Sequence, residues 1–150
     1  MHAVSAPRPR SCWKVERIVS RRLYADASAL VKLVIAESET GALSRALLGD
    51  VVVVTSSISI VEVTRAVRLA ELEDDTEPDP DALLDGCTFV DCNRGVLAAA
   101  ASLASGSLTT LDAIHLATAI DVAPDAMLVY DRRLARAAAS AGLRVEAPGA

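Results

Sequence analysis

VVVVTS, residues 51–56, is the stretch from which the fold class can be read. Its β-branched apolar side chains run on without polar alternation, which is typical of a parallel strand covered on both faces. The segment that follows, ISIVEVTRAVRLAEL (58–72), has apolar residues at helical spacing and predicts a helix. A buried strand that leads directly into a helix is the unit of a parallel α/β sheet.

The same alternation of strands and helices extends to both sides of this unit, so we predict an α/β fold with a mostly parallel sheet. The acidic, proline-bearing segment 74–81 is predicted to be a loop, and 81–86 a short helical turn. The remaining predicted strands are 21–26, 87–92, 126–131 and a short edge strand at 143–148, and the remaining predicted helices are 27–37, 38–49, 93–106, 109–122 and 132–142.

Composition limits the classes of protein to which the chain can belong. Its 150 residues fit one domain, and with 52% hydrophobic but only 3% aromatic residues the core must be aliphatic. No stretch approaches the ~20 apolar residues that span a bilayer. The odd number of cysteines, three, without a signal-peptide pattern, indicates reduced thiols in a cytoplasm. Cys87 and Cys92, on opposite faces of the predicted strand, do not suggest a zinc site.

Charge is distributed unevenly along the chain. The net charge is −5, yet residues 1–20 are basic, and we expect them to be a flexible tail ahead of a single domain at 21–150. The alternative is a basic arm that contacts nucleic acid or a partner. Because the chain as a whole is acidic, any polyanion must be bound through a local basic patch or a bound cation.

Four carboxylates occupy positions typical of a ligand site. Asp26 and Asp131 end predicted strands, and ligands of open α/β sheets bind at the carboxyl ends of strands. Glu62 and Asp112 lie on helices among apolar neighbours, so we expect them to point inward. The chain has only two lysines to neutralise four acids, which favours a divalent cation such as Mg²⁺ or Mn²⁺. Such a constellation suits hydrolysis of a phosphodiester.

Each carboxylate also has a local structural interpretation. Asp26 and Asp131 could cap the helices that follow them. Asp112 could lie in a first helical turn, where the helix dipole favours an acid. Glu62, interpreted as a mid-helix residue, has no capping role but could pair with Arg65 at i+3.

Four sequence blocks together resemble the PIN-domain family, specifically the VapC-type toxins of bacterial toxin–antitoxin pairs. The resemblance extends from about Leu23 to Gly149 and is specific because all four blocks occur in order with similar spacing. The blocks are YADASALVKLVIAE (24–37), TSSISIVEVTRAV (55–67), LTTLDAIHLATAI (108–120) and VYDRRLARAAASAGLRVEAPG (129–149).

The resemblance implies a PIN-like three-layer α/β/α sandwich and an endoribonuclease dependent on Mg²⁺ or Mn²⁺. It implies a toxin of a type II pair that cleaves tRNA or ribosomal RNA in the bacterial cytoplasm and arrests translation. It further implies a homodimer inhibited by a VapB-like antitoxin that also binds operator DNA. The implied catalytic and metal-binding residues are Asp26, Glu62, Asp112 and Asp131.

The chain departs from the family pattern at two positions. Thr109 stands where the family usually has arginine, and Val129 where it often has threonine. These changes affect what we expect of substrate and rate, but they leave the four acids in place.

Other residues near the four acids have supporting roles in this interpretation. We expect Ser28, Thr55 and Ser57 either to orient the site carboxylates or to cap helices. His115 is expected to be a packed, hydrogen-bonded helix residue, because metal-activated water needs no imidazole base. The arginines after Asp131, which could guide RNA or form a solvated helix face, are Arg132, Arg133 and Arg136.

Two other functions compete with the nuclease. The chain could act chiefly as the antitoxin-binding element of a repressor complex, with weak or no nuclease activity and a groove formed by helices in 27–49. A receiver-like phosphoacceptor domain would also place acids at strand ends. That chemistry requires a lysine near a late strand end, and no lysine follows Lys32.

Overall fold

The structure, a computed structural model, describes residues 20–71, 79–103, 106 and 108–150. Its centre is a five-stranded sheet in the order β3-β2-β1-β4-β5, and every pair of neighbours is parallel. The strands are β1 (Arg21–Ala25), β2 (Val51–Ser56), β3 (Thr88–Val90), β4 (Ala126–Leu128) and β5 (Val145–Glu146).

Helices cover both faces of this sheet, which confirms the predicted three-layer α/β/α architecture. They are α1 (Ala27–Val34), α2 (Thr40–Ala46), α3 (Ser59–Glu71), α4 (Pro80–Asp85), α5 (Arg94–Ser102), α6 (Thr110–Val122) and α7 (Arg132–Ser140).

Alternate side chains of the central strand β1 enter two separate cores. Leu23 and Ala25 pack with α1 to α4 on one face, whereas Tyr24 packs with α6 and α7 on the other. α5 lies outside the sheet against α6, where Val96 and Ala100 form a third cluster with the outer side of α6. β1 is therefore fixed from both faces up to its last residue.

Several predicted elements are shorter than their sequence patterns indicate. The helix predicted at 27–37 ends at Val34, because Ile35 has an extended backbone. The helix predicted at 93–106 ends at Ser102, before an extended Leu103, so Gly106 does not terminate it. The strand predicted at 87–92 contracts to three residues, which leaves Cys87 and Cys92 outside it.

Other helices and strands are also shorter than predicted. The strand predicted at 126–131 ends at 128 and the edge strand at 143–148 contracts to 145–146, because the sheet pairing stops there. The helix predicted at 38–49 becomes α2, and Gly49, at a positive φ of 93°, lies beyond it. The tail 1–19 and the loop residues 74–78 lie outside the described residues.

Helix caps follow the sequence patterns in part. Asn93 caps α5 and Thr109 caps α6. Ser28 does not cap α1, because Asp26 is the N-cap and its side chain accepts the Ala29 N–H. Among the described helices, none has the length and apolar character that a membrane crossing requires.

We expect Leu23→Ala to lower the free energy of unfolding by about 2–5 kcal/mol, since a fully buried leucine leaves a cavity. Urea denaturation measures this loss. Leu48→Ala is the matched control because that side chain is 74% exposed, and its effect should stay within about 0.5 kcal/mol. Equal losses in the two variants would contradict this account of the core.

Candidate active site

Asp26 occupies the carboxyl end of the central strand. Its backbone N–H donates to the Leu128 carbonyl on neighbouring β4, and its side chain is the N-cap of α1. The carboxylate accepts the Ala29 N–H at 3.0 Å and the Ser28 hydroxyl at 2.7 and 2.9 Å. Only 4% of the residue is exposed. The strand end and the helix start therefore hold this carboxylate in one orientation.

Ser28 connects Asp26 to the segment that carries Asp131. Its oxygen accepts the Tyr130 N–H at 3.2 Å while its hydroxyl contacts Asp26. Asp131, the next residue, caps α7 by accepting the N–H groups of Arg133 and Leu134 at 2.9 Å. Ser28 thus makes the contact that the sequence analysis expected of a residue that orients a site carboxylate.

The segment after β4 is also held by the C-terminal residues. The Tyr130 hydroxyl donates to the Pro148 carbonyl at 2.9 Å, and the Lys32 ammonium lies 5.0 Å from the centre of the Tyr130 ring. Gly149 adopts a positive φ of 86°, and a side chain there would meet Ala42 at 3.0 Å. The C-terminal end is therefore packed closely against α2.

Glu62 lies in the first turn of α3, because this helix begins at Ser59. The mid-helix interpretation was therefore wrong, and the helix dipole favours an acid at this position. Its partner is the buried His115 on α6, whose Nε2 lies 2.8 Å from Glu62 Oε2. No ion pair with Arg65 occurs among the described residues. The other ring nitrogen of His115 lies 2.8 Å from the Tyr24 hydroxyl.

Asp112 is held by a capping box at the start of α6. Its carboxylate accepts the Thr109 N–H at 2.9 Å, and its own N–H donates to the Thr109 hydroxyl at 3.2 Å. Thr109, which stands where the family usually has arginine, therefore orients the Asp112 carboxylate. Val129, the other departure, is 1% exposed and packs in the core of the α6 face.

The electrostatic environments of the two strand-end acids differ. Burial raises the pKa of the Asp26 carboxyl from 3.8 to about 6, against the lowering effects of its hydrogen bonds to Ser28 and Ala29. The negative charge of Glu62 makes a smaller contribution in the same direction. The pKa of the Asp131 carboxyl is lowered instead, mainly by the hydrogen bond that it accepts from the Leu134 N–H.

The donor set fits a divalent cation that keeps much of its water. Among the described residues, no group of three or more His, Cys, Asp or Glu is arranged to hold a metal. Mg²⁺ usually binds through one or two carboxylates plus waters and substrate phosphates, so a large set of protein ligands is not required of Asp26 and its neighbours. The Lys32 ammonium is engaged by Glu37 and Glu39 instead of these acids. Ser56 is the last residue of β2, at the carboxyl end of the strand. Its buried hydroxyl has no hydrogen-bond partner in the described structure.

The other predicted residues make no hydrogen bond to the four carboxylates among the described contacts, apart from the Arg133 contacts with Asp131. The Thr55 hydroxyl donates to the Ala25 carbonyl and contacts Ser59, and Ser57 accepts the Cys92 N–H, so these two side chains join strand ends and loops. Their role near the site stays a prediction. The arginines exposed along α7 are Arg132, Arg133 and Arg136.

Tyr24 and His115 were not recognised as residues of this site from the sequence. His115 is packed and hydrogen-bonded, as expected, but its contact with Glu62 was not foreseen. A signal was present, because His115 follows Asp112 by three residues and so lies on the same side of α6. Likewise, Tyr24 precedes Asp26 by two residues and therefore shares a face of β1.

Without divalent metal, we expect the free energy of unfolding of the wild type to fall, relative to that of Asp26→Asn, as pH rises from about 4 to about 6. The folded chain holds the Asp26 proton to a higher pH than the unfolded chain, so stability present at low pH is lost as pH rises through the folded pKa. A shift from 3.8 to about 6 corresponds to about 3 kcal/mol. Asparagine keeps the helix cap, and urea titrations across this range in EDTA measure the difference.

Asp131→Asn is the control. Because the pKa of the Asp131 carboxyl is lowered, its effect on stability changes with pH in the opposite direction. Its stabilising contribution is present at neutral pH and lost as pH falls. Parallel pH profiles for wild type and Asp26→Asn would contradict the description of Asp26 as a buried, costly charge.

Comparison with known proteins identifies the family of the chain and its fold. Residues 23–140 match the model of the PIN domain. Ribonuclease VapC35 of Mycobacterium tuberculosis is 37% identical over 133 residues, which cover 85% of this chain and 97% of the relative.

Two solved structures share the fold at low identity. The VapBC2 structure from Rickettsia felis, bound to a promoter DNA fragment, has a TM-score of 0.61 at 12% identity and covers 85% of this chain and 98% of its own. Mycobacterium tuberculosis VapC20, described as a toxin that cleaves the sarcin–ricin loop, has a TM-score of 0.60 at 14% identity and covers 84% and 99%. With the family match over most of its length, the chain belongs to the PIN-domain family.

Proposed function

We propose that the chain is a divalent-metal-dependent endoribonuclease and the toxin of a type II toxin–antitoxin pair in a bacterial cytoplasm. The observation that carries this proposal is the buried Asp26 carboxylate at the carboxyl end of the central strand. The relatives add support, because VapC35 is named a ribonuclease and VapC20 is described as an RNA-cleaving toxin.

The proposed site holds Mg²⁺ or Mn²⁺ through Asp26 and Glu62, with Asp112 and Asp131 completing it. When bound, the cation supplies an activated water and offsets charge on the scissile phosphate. The protein contributes orientation, since each of the four acids accepts hydrogen bonds from the protein. Asp26 and Asp131 are held by helix caps, Asp112 by its capping box and Glu62 by His115.

RNA is expected to approach along the start of α7. Arg132, Arg133 and Arg136 expose their side chains next to Asp131, in a chain whose net charge is −5. A local basic strip of this kind can contact the RNA backbone although the whole protein is acidic. We propose tRNA or ribosomal RNA as the substrate.

Two apolar surfaces support the proposed partners, because exposed apolar patches mark interaction sites. On α3, Val61 and Leu69 are 60% and 57% exposed and, with Leu111, line a groove of about 590 Å³ beside Glu62. We propose that a second copy of the chain covers this face. Leu48, 74% exposed directly after α2, lies near the groove proposed for a VapB-like antitoxin.

A second candidate is an antitoxin-binding element with weak nuclease activity. It is favoured by Thr109 in place of the family's arginine and by the lack of a three-ligand group among the described residues. The two candidates differ in what purified protein does to RNA.

Purified protein is expected to cut tRNA or ribosomal RNA into discrete products with Mg²⁺ or Mn²⁺ but not with EDTA. Asp112→Asn should lower the rate by about two orders of magnitude, since a bound metal supplies several kcal/mol of charge stabilisation. Gel analysis of the RNA measures both effects. Asp121→Asn, an exposed acid on the same helix, is the matched control. Undiminished cleavage in EDTA or by Asp112→Asn would contradict the proposed site.

Induction in bacteria without the antitoxin separates the two candidate functions. The nuclease predicts growth arrest that Asp26→Ala abolishes, because the variant loses the central carboxylate. Optical density after induction measures the effect, with equal protein levels checked by immunoblot. Arrest that persists in Asp26→Ala, or no arrest with wild type, would favour the binding element.

A further inference from the structure

A buried hydrogen-bond chain connects the central strand to the acid on α3. It runs from the Tyr24 hydroxyl to His115 Nδ1 and from His115 Nε2 to Glu62 Oε2, with both distances 2.8 Å. Tyr24 is fully buried, His115 is 2% exposed, and their rings meet edge to face at 74°. One chain of side chains thus spans β1, α6 and α3.

The hydrogen-bond partners of His115 determine which of its ring nitrogens carries a proton. An ionised carboxylate only accepts hydrogen bonds, so Nε2 must carry a proton to bond Glu62. In the neutral ring, Nδ1 is then an acceptor, and the Tyr24 O–H donates to it. Glu62 therefore selects the form of the imidazole that donates from Nε2, and the Tyr24 hydroxyl complements it by donating to Nδ1.

This chain restricts a carboxylate that would otherwise be mobile. The Glu62 side chain is 23% exposed, and the histidine contact through Oε2 is the one hydrogen bond that the described structure gives it. With Oε2 engaged, Oε1 is the oxygen left for another ligand. Buried hydrogen bonds polarise one another, so removing any member weakens the orientation of the last.

We propose that Tyr24 and His115 are positioning residues that fix Glu62 for cation binding through an Nε2–H donor. This role rests on the proposed metal-dependent function. It differs from simple packing, because it requires a donor at the Nε2 position and not merely a side chain of similar volume.

Paired variants of His115 test the requirement for a donor. Glutamine places an amide N–H near the Nε2 position, whereas the shorter asparagine reaches only the Nδ1 position. We expect His115→Asn to weaken Mn²⁺ affinity about 10–100-fold, the usual effect of losing a residue that orients a metal ligand. His115→Gln should recover most of the affinity. Calorimetric titration of the full-length protein with Mn²⁺ measures both, and equal affinities in wild type and His115→Asn would overturn the proposal.

The two tyrosines of the chain provide a matched pair. Tyr24→Phe removes only the hydroxyl that bonds His115, and its kept ring volume favours folding even if His115→Asn does not fold. Tyr130→Phe removes a hydroxyl that donates to the Pro148 carbonyl, outside the hydrogen-bond chain. We expect weaker Mn²⁺ binding in Tyr24→Phe alone, with thermal unfolding measured for both. Equal losses in the two variants would indicate a general effect on stability and overturn the proposal.

A spectroscopic measurement separates this proposal from the proposed function. The sequence has only two histidines, His2 and His115, so ¹⁵N NMR of the imidazoles is assigned by comparison with His115→Gln. We expect a protonated Nε2 and an unprotonated Nδ1 for His115. An unprotonated Nε2 would overturn the proposal even if RNA is cleaved. Wild-type protein with the expected tautomer that neither binds Mn²⁺ nor cleaves RNA would refute the proposed function, and the positioning role with it.

Discussion

The burial of one carboxylate at the end of the central strand is the constraint on which the site depends. Asp26 is held where β1, α1 and the segment after β4 meet, and burial raises its pKa to about 6. A group in this state stabilises the fold poorly when it is ionised at neutral pH. A cation at this position would offset that cost, which links metal binding to folding stability.

Helix capping and metal binding are compatible roles for these acids. Asp26 and Asp131 cap helix starts, as their local interpretations predicted, and Asp112 lies in a first helical turn, where it also forms a capping box. Capping fixes a side chain relative to the backbone at the strand ends, which a precise ligand site requires. Local structure and function therefore do not compete for these residues.

Periodicity was sufficient to predict the alternation of strands and helices and the parallel sheet, because both depend on local apolar patterns. Element ends were less predictable. The helix from 27 and the strand from 126 both end three residues early, where sheet pairing or backbone geometry decides. The strand-end acids followed from topology, since a parallel sheet places its carboxyl ends at one edge. The Tyr24–His115–Glu62 chain could not be predicted, because it joins residues 91 and 53 positions apart through tertiary packing.

The packing of the C-terminal residues has a practical consequence for handling the protein. Pro148 accepts the Tyr130 hydroxyl, and Gly149 fits against Ala42 with no space for a side chain. Tyr130 also donates its N–H to Ser28, the neighbour of the central carboxylate. A cloning change that replaces Gly149 would therefore force a side chain against Ala42, so the native residue should be kept when the protein is expressed.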